Sequence, residues 1–172
     1  AIVRYNSNGS LDNSFDTDGK LTTAIGSSDD IAYSIAMQTD GKIVVAGQSD
    51  ISGNNDFVLV RYNSNGSLDN SFDTDGKLTI SIGFAQDEAA LAIQANGNIL
   101  IAGSNGSNFI AARFNANGSL DNTFDGDGIA ITPVGIASSA EATSMEIETD
   151  GKILVAGFAF VAPGRDFALV RY

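Results

Sequence analysis

The chain contains no cysteine, no histidine and no tryptophan. Without cysteine there is no disulfide framework, no thiol nucleophile and no zinc–thiolate site. Without histidine the commonest general base and the commonest transition-metal ligand are both missing. Basic residues are scarce: 9 Lys and Arg stand against 21 Asp and Glu, a net charge of −12 with an isoelectric point near 4.1. Such a field repels phosphate backbones and anionic membrane surfaces, so no nucleic acid partner is expected. No apolar run approaches the ~20 residues of a membrane span, so no membrane insertion is expected either. Helix signals are also missing: there are two prolines, and no capping box precedes a stripe of 3.6-residue period. The chain opens in mid-pattern on AIVRY, without an initiator Met or a signal peptide, and so reads as an excerpt of something longer.

What is present is repetition. Residues 3–22 and 60–79 both read VRYNSNGSLDNSFDTDGKLT. An arginine–aromatic pair recurs at Arg4-Tyr5, Arg61-Tyr62, Arg113-Phe114 and Arg171-Tyr172, spaced 57, 52 and 58 residues apart. A second phrase recurs as IAMQTDGKIVVAG (35–47), LAIQANGNILIAG (91–103) and MEIETDGKILVAG (145–157). Fifteen of the 19 glycines fall into five series of three, at 9/66/118, 19/76/128, 26/83/135, 41/97/151 and 47/103/157. Glycine at fixed register marks a repeated backbone position, and positive φ is the usual reason for it.

Each unit reads as four strands. The first ends at Gln38, Gln94 or Glu148, with apolar residues alternating at Ile35/Met37, Leu91/Ile93 and Met145/Ile147. Asp40-Gly41, Asn96-Gly97 and Asp150-Gly151 then signal a hairpin. The second strand, KIVVAG, NILIAG or KILVAG, is continuously apolar, which suits a strand covered on both faces. DFVLVRYN, NFIAARFN or DFALVRY is the third strand, followed by a long connector and a fourth strand at 77–82 or 129–134. An all-β fold of four-stranded antiparallel units with inner strands covered on both faces describes β-propeller blades. A sandwich, the competing arrangement, leaves one face of most strands polar. The single repeat domain, 1–172, divides into units at about 31–82, 89–134 and 142–172, with strands in 1–25 completing a blade.

The phrases MQTDGKIVVAG and DFVLVRYNSNGSLDNSFDTDGK, with their copies, resemble the delta-sixty repeat, a bacterial β-propeller repeat of unknown function. Asn98 in place of the hairpin lysine and Ile129 in place of Lys20 and Lys77 depart from the common phrase. The resemblance implies large secreted or surface-attached bacterial proteins that string such repeats together, and it implies no activity. An acidic chain rich in Ser, Thr, Asn and Gly suits the same extracellular or cell-surface setting. Three blades fall short of the ~4–8 of a ring. The expected partners are therefore neighbouring repeats of a longer chain or a second copy of this one, making a partial propeller or half-ring.

Two readings compete for the connector acids Asp12, Asp16 and Asp18, with copies Asp69, Asp73 and Asp75, and Asp121, Asp125 and Asp127. Oxygen ligands on a glycine-containing loop are what Ca²⁺ takes, and no softer ligand competes. Yet the bidentate glutamate of an EF-hand loop is missing, and Asp-Gly and Asn-Gly also make ordinary turns. In that second reading the repeated arginine pairs with one of the acids between blades, Leu11/68/120 and Phe15/72/124 peg the connector down, and no cofactor is required. Because the acids recur in every unit while catalysis needs one asymmetric constellation, a carboxylate-based hydrolase is the weakest reading and a non-catalytic scaffold the leading one. The segments that vary, QSDISGNN (48–55), SNGS (104–107) and FAFVAPGR (158–165), read as loops. Phe158, Phe160 and Arg165 in the last are the candidate contacts for a glycan or protein ligand.

Overall fold

A computed structural model describes residues 1–51, 53–81, 90–134 and 139–172, leaving the side chains of 54 and 55 aside. The described residues form thirteen strands and no helix. Strands β3 (Asp30–Met37), β4 (Ile43–Ile51), β5 (Asn54–Tyr62) and β6 (Lys77–Ile80) pair in chain order as one antiparallel sheet. Strands β7 (Ala90–Ile93), β8 (Ile99–Ser104), β9 (Asn108–Phe114) and β10 (Ile129–Pro133) repeat that order. Strands β11 (Ala140–Ile147), β12 (Ile153–Val161) and β13 (Gly164–Arg171) make a three-stranded copy, and β1 (Ile2–Val3) and β2 (Lys20–Leu21) a two-stranded one. Register repeats with the sequence: Val45 faces Val60, Ile101 faces Ala112 and Val155 faces Val170.

The hairpin phrase makes a three-residue turn. Gln38 N–H donates to Lys42 O, Gly41 N–H donates to Gln38 O, and Gly41 takes φ +84°. The same bonds recur at Gln94–Asn98 and Glu148–Lys152. The glycine series have two distinct causes, however. Gly9, Gly19 and Gly41 and their copies do have positive φ, but Gly47 and Gly157 do not. They lie opposite bulges between Ala32 and Ser34 and between Ala142 and Ser144. A β-carbon there would run into the carbonyl oxygen of Ile31 or Glu141. Closeness of backbones, not φ, requires glycine at these two sites.

Alternate residues of each inner strand enter different cores. Ile43 and Val45 join Phe15, Val58, Val60 and Tyr62 between the first sheet and β1–β2. Val44 and Ala46 join Phe57, Leu59, Ile99 and Ile101 between the first and second sheets. Leu100 and Ala102 join Phe109, Ala111, Ile153 and Val155 between the second and third. The middle sheet is therefore covered on both faces, which a two-layer sandwich does not do. β7 contacts both β3 and β11, so the first strands of the three sheets stand side by side. This is an all-β stack of propeller-type blades.

Two expectations change. Two of the three variable segments are largely strand, with β4 running to Ile51 and β5 beginning at Asn54, and β12 and β13 separated only by Ala162 and Pro163, whereas 105–107 lie between β8 and β9 as a loop. Backbone pairing continues past the repeated phrase because the ladder needs no particular side chain, as in Phe160↔Arg165 and Val161↔Gly164. The N-terminal strands expected in 1–25 are two residues each, Ile2–Val3 and Lys20–Leu21. The expected unit boundaries at 82 and 89 lie outside the described residues.

Candidate functional site

The connector, Asn6–Gly19 with copies Asn63–Gly76 and Asn115–Gly128, is the most repeated chemistry in the chain. Its opening is an Asn–Gly turn, with Gly9 N–H donating to Asn6 O and Ser10 N–H to Asn8 Oδ1. Leu11, Leu68 and Leu120 form single bridges to Tyr5, Tyr62 and Phe114. The chain then turns back so that Asp12 N–H donates to Arg4 O and Arg4 N–H to Gly19 O, closing the connector on its own third strand.

The three acids of each copy do three separate jobs. Asp69 and Asp121 accept from the arginine Nε at 2.7 and 2.8 Å, and Asp12 forms an ion pair with Arg4 Nε at 2.8 Å. Their other oxygen accepts both the backbone N–H and the hydroxyl of the residue two positions on: Ser14, Ser71 or Thr123. Asp16, Asp73 and Asp125 lie in the left-handed region at φ +45°, +43° and +47°, with exposed side chains. Asp18, Asp75 and Asp127 each cap the start of the fourth strand, accepting the N–H of Lys20, Lys77 or Ile129 at 2.9 Å. Among the described residues no three acidic side chains gather where a metal ion could be held. The connector acids are spread along the loop, and in each copy two of the three accept from the arginine or from the loop's own backbone while the third is exposed.

The arginine sits at the centre of the connector. Arg4, Arg61 and Arg113 stack over Phe15, Phe72 and Phe124, with Cζ 4.7, 4.7 and 5.0 Å from the ring centroids. Its acidic partner belongs to its own connector, so the pair does not itself join blades. The link between blades is made to backbone: Nη1 of Arg4 donates to Ser64 O, and Nη1 of Arg61 to Ala116 O. Alongside, Asp16 N–H donates to Asn65 O at 2.9 Å and Asp73 N–H to Asn117 O at 3.1 Å. Phe15 packs where a β-carbon on Gly66 would stand, and Phe72 does the same at Gly118. Arginine, phenylalanine and the left-handed aspartate together form a clasp from each connector to the next.

Burial and charge differ along the series. Arg61 is 4% exposed, and its partner Asp69 also accepts from Lys42 Nζ at 3.0 Å, from the hairpin of the same sheet. Burial alone would raise the Asp69 pKa, but the Ser71 and Lys42 hydrogen bonds and the Arg61 charge outweigh it and hold the carboxyl well below the usual range. Ser14 and Thr123 are the main causes lowering Asp12 and Asp121. Asn98, the departure from the hairpin lysine, does the same work as Lys42, donating to Asp121 Oδ2 at 3.0 Å. Lys152, the counterpart of Lys42 in the third hairpin, pairs with Asp150.

The variable rim is plainer. Arg165 Cζ stands 4.3 Å over the Phe158 ring, Phe158 lies opposite Phe167 across the β12–β13 ladder, and Phe160 N–H donates to Ser139 O. Phe160 and Arg165 are exposed and Phe158 is half-buried. Sequence reasoning named Asp, Leu and Phe in the connector but missed that arginine Nη1 and a main-chain carbonyl join consecutive blades. The recurrence of the arginine at the same spacing as the phenylalanine was the available signal.

A family model described as the domain of unknown function (DUF5122) beta-propeller matches residues 1–15, 38–72, 94–124 and 148–172. Three of the four segments end on the clasp phenylalanine, Phe15, Phe72 or Phe124. No curated protein matches the chain.

Proposed function

The chain belongs to the DUF5122 β-propeller family, and on that premise we propose that it is a non-catalytic repeat scaffold of the delta-sixty kind. It serves adhesion, assembly or spacing on a secreted or surface-attached bacterial protein and needs no cofactor. One observation carries this reading: in each connector two of the three acids are engaged, one by the clasp arginine and one by the backbone of its own loop. A carboxylate held by an arginine and two hydrogen bonds is a poor general base, because its proton affinity has been lowered. High acidity keeps such a surface soluble when many units are strung together.

A second reading, a glycan- or protein-binding rim, is favoured by the Arg165–Phe158 stack beside the exposed Phe160. A flat aromatic with a cation beside it is chemistry that recognises a sugar ring or a peptide.

The scaffold reading is tested by a panel of fluorogenic glycosides and esters together with a glycan array. The expected result is no turnover and no saturable binding, while substitution of Arg61 or Asp69 lowers only the melting temperature. Turnover abolished by a connector Asp→Asn change overturns it. Saturable glycan binding lost in Phe160→Ala transfers the assignment to the rim.

A further inference from the structure

The bulges on β3 and β11 do more than demand a glycine opposite them. Each adds one residue to the first strand of its sheet: Tyr33 between Ala32 and Ser34, and Thr143 between Ala142 and Ser144. A bulge re-aims the side chain that it adds. The facing glycine is constant, at 47, 103 and 157, whereas the residue in register with the bulge is Tyr33, Ala89 or Thr143. The frame repeats and its content does not, as in a binding surface carried on a rigid scaffold.

Both bulge residues border one cavity. β3, β7 and β11 stand side by side, and among them opens a space of about 410 Å³ whose wall includes Tyr33, Ser34, Leu91, Thr143, Ser144 and Met145. Three consecutive units build this wall, and its volume falls in the ~300–1,000 Å³ range of small-ligand sites. The hydroxyls of Ser34 and Ser144 have no hydrogen-bond partner among the described residues, and Thr143 Oγ1 reaches Ala156 O only at 3.5 Å. β3, β7 and β11 are each the terminal strand of a sheet, so one main-chain edge of each is left without a ladder. Tyr33 is half-buried against the core between the first and second sheets and brings an aromatic ring, while Leu91 and Met145 bring apolar surface.

Charge narrows the choice of ligand. No lysine or arginine lines the cavity, Asp30 lies on β3 and Glu141 and Glu146 on β11, and the whole chain carries −12. Such a field repels an anion and concentrates a cation. Hydroxyl oxygens accept hydrogen bonds from an ammonium group, and the face of a tyrosine attracts its charge.

We propose that this cavity binds a small alkylamine in its ammonium form. The ammonium hydrogens bond to the oxygens of Ser34, Thr143 and Ser144, Tyr33 stands beside the charge, and the alkyl chain lies along Leu91 and Met145. A neutral polyol of the same length meets the same hydroxyls but gains nothing from the field. The site uses no connector residue, so its failure leaves the scaffold reading standing.

Two-dimensional amide NMR of the 172-residue chain, titrated with putrescine at constant ionic strength, is the test. Saturable shifts are expected at Tyr33, Ser34, Leu91, Thr143 and Ser144. Sodium chloride at the same ionic strength and butanediol, the neutral diol of equal length, leave these amides where they are. Thr143→Arg brings a fixed positive charge into the cavity from an exposed position, so the fold is kept and the saturable shifts vanish. Tyr33→Leu keeps apolar packing but removes the ring, and weakens binding about tenfold. Shifts scattered over the acidic surface without saturation overturn the proposal. So does butanediol binding as well as putrescine, or putrescine binding that survives Thr143→Arg.

Discussion

The ring of Phe72 closes on Gly118 of the following connector, so that a β-carbon on that glycine would stand 3.1 Å from Cε2 of the ring. Gly118 also has φ +95°, a conformation that costs an L side chain about 1–2 kcal/mol. Gly97 has a similar φ of +89° but its nearest neighbour would be Ala116 Cβ at 3.9 Å, an ordinary contact. Gly97→Ala is expected to lose only the backbone cost, and Gly118→Ala about 1 kcal/mol more through the displaced ring. Equal losses in urea melts would mean that the phenylalanine yields freely and does not tie the blades.

Removing the acid of the buried clasp leaves a guanidinium in the interior. Asp69→Ala is expected to destabilise by about 3 kcal/mol, because Arg61 loses its carboxylate with nowhere to rehydrate. Asp12→Ala, whose arginine partner is about a third exposed on its side chain, is expected to cost clearly less. The comparison is read by chemical denaturation of both variants, and the order Asp12 above Asp69 contradicts the account.

The pKa directions fix an acid limit. Asp12, Asp69 and Asp121 are all lowered from 3.8, so the native state binds these protons less tightly than the unfolded chain. Their contribution is complete above the unfolded value and is lost as pH falls through the native values. With no histidine, the melting temperature is expected to be nearly flat between about pH 5 and pH 8, and to fall below about pH 4. Asp69→Asn should flatten part of that acid slope. A slope centred near neutral pH would contradict it.

Thr17 and Thr74 hold φ +68° and +71°, and the third copy has Gly126 at the same place with φ +87°. A β-branched residue pays steric strain there that glycine avoids, partly offset by glycine's greater freedom when unfolded. Thr74→Gly is therefore expected to stabilise by roughly 0.5 kcal/mol, measurable by calorimetry, as the net of those two terms. Loss of stability would show that the threonine makes a compensating contact.

What could be read from the sequence was whatever leaves a periodic trace. The hairpin turns at Asp40-Gly41, Asn96-Gly97 and Asp150-Gly151 follow from turn chemistry and are all present, and the apolar second strands are covered on both faces at β4 and β8 but on one face only at β12. The aspartates were harder, because one residue type serves as ligand, as cap and as ion-pair partner. Only the fold reveals that Asp12, Asp16 and Asp18 point to three different donors or to solvent. Composition also hid the length of β12 and β13, since ladder bonds are made by any backbone and Phe158, Phe160 and Arg165 look equally at home in a loop. The glycine of the VAG phrase was noticed for its recurrence, yet its cause, the backbone pressed against Gly47 and Gly157, lies on a neighbouring strand far away in sequence.

The alternation along β8 has a consequence for how the molecule opens. Ile99 and Ile101 belong to one core and Leu100 and Ala102 to another, so β8 cannot separate from its neighbours without emptying both. Stability in such an array is a sum of unit and nearest-neighbour terms, and the unit with two neighbours carries one term more than those at the ends. Amide protons of Leu100 and Ile101 should then exchange with deuterium only through near-global opening, whereas those of β1, with two paired residues, exchange through local fraying.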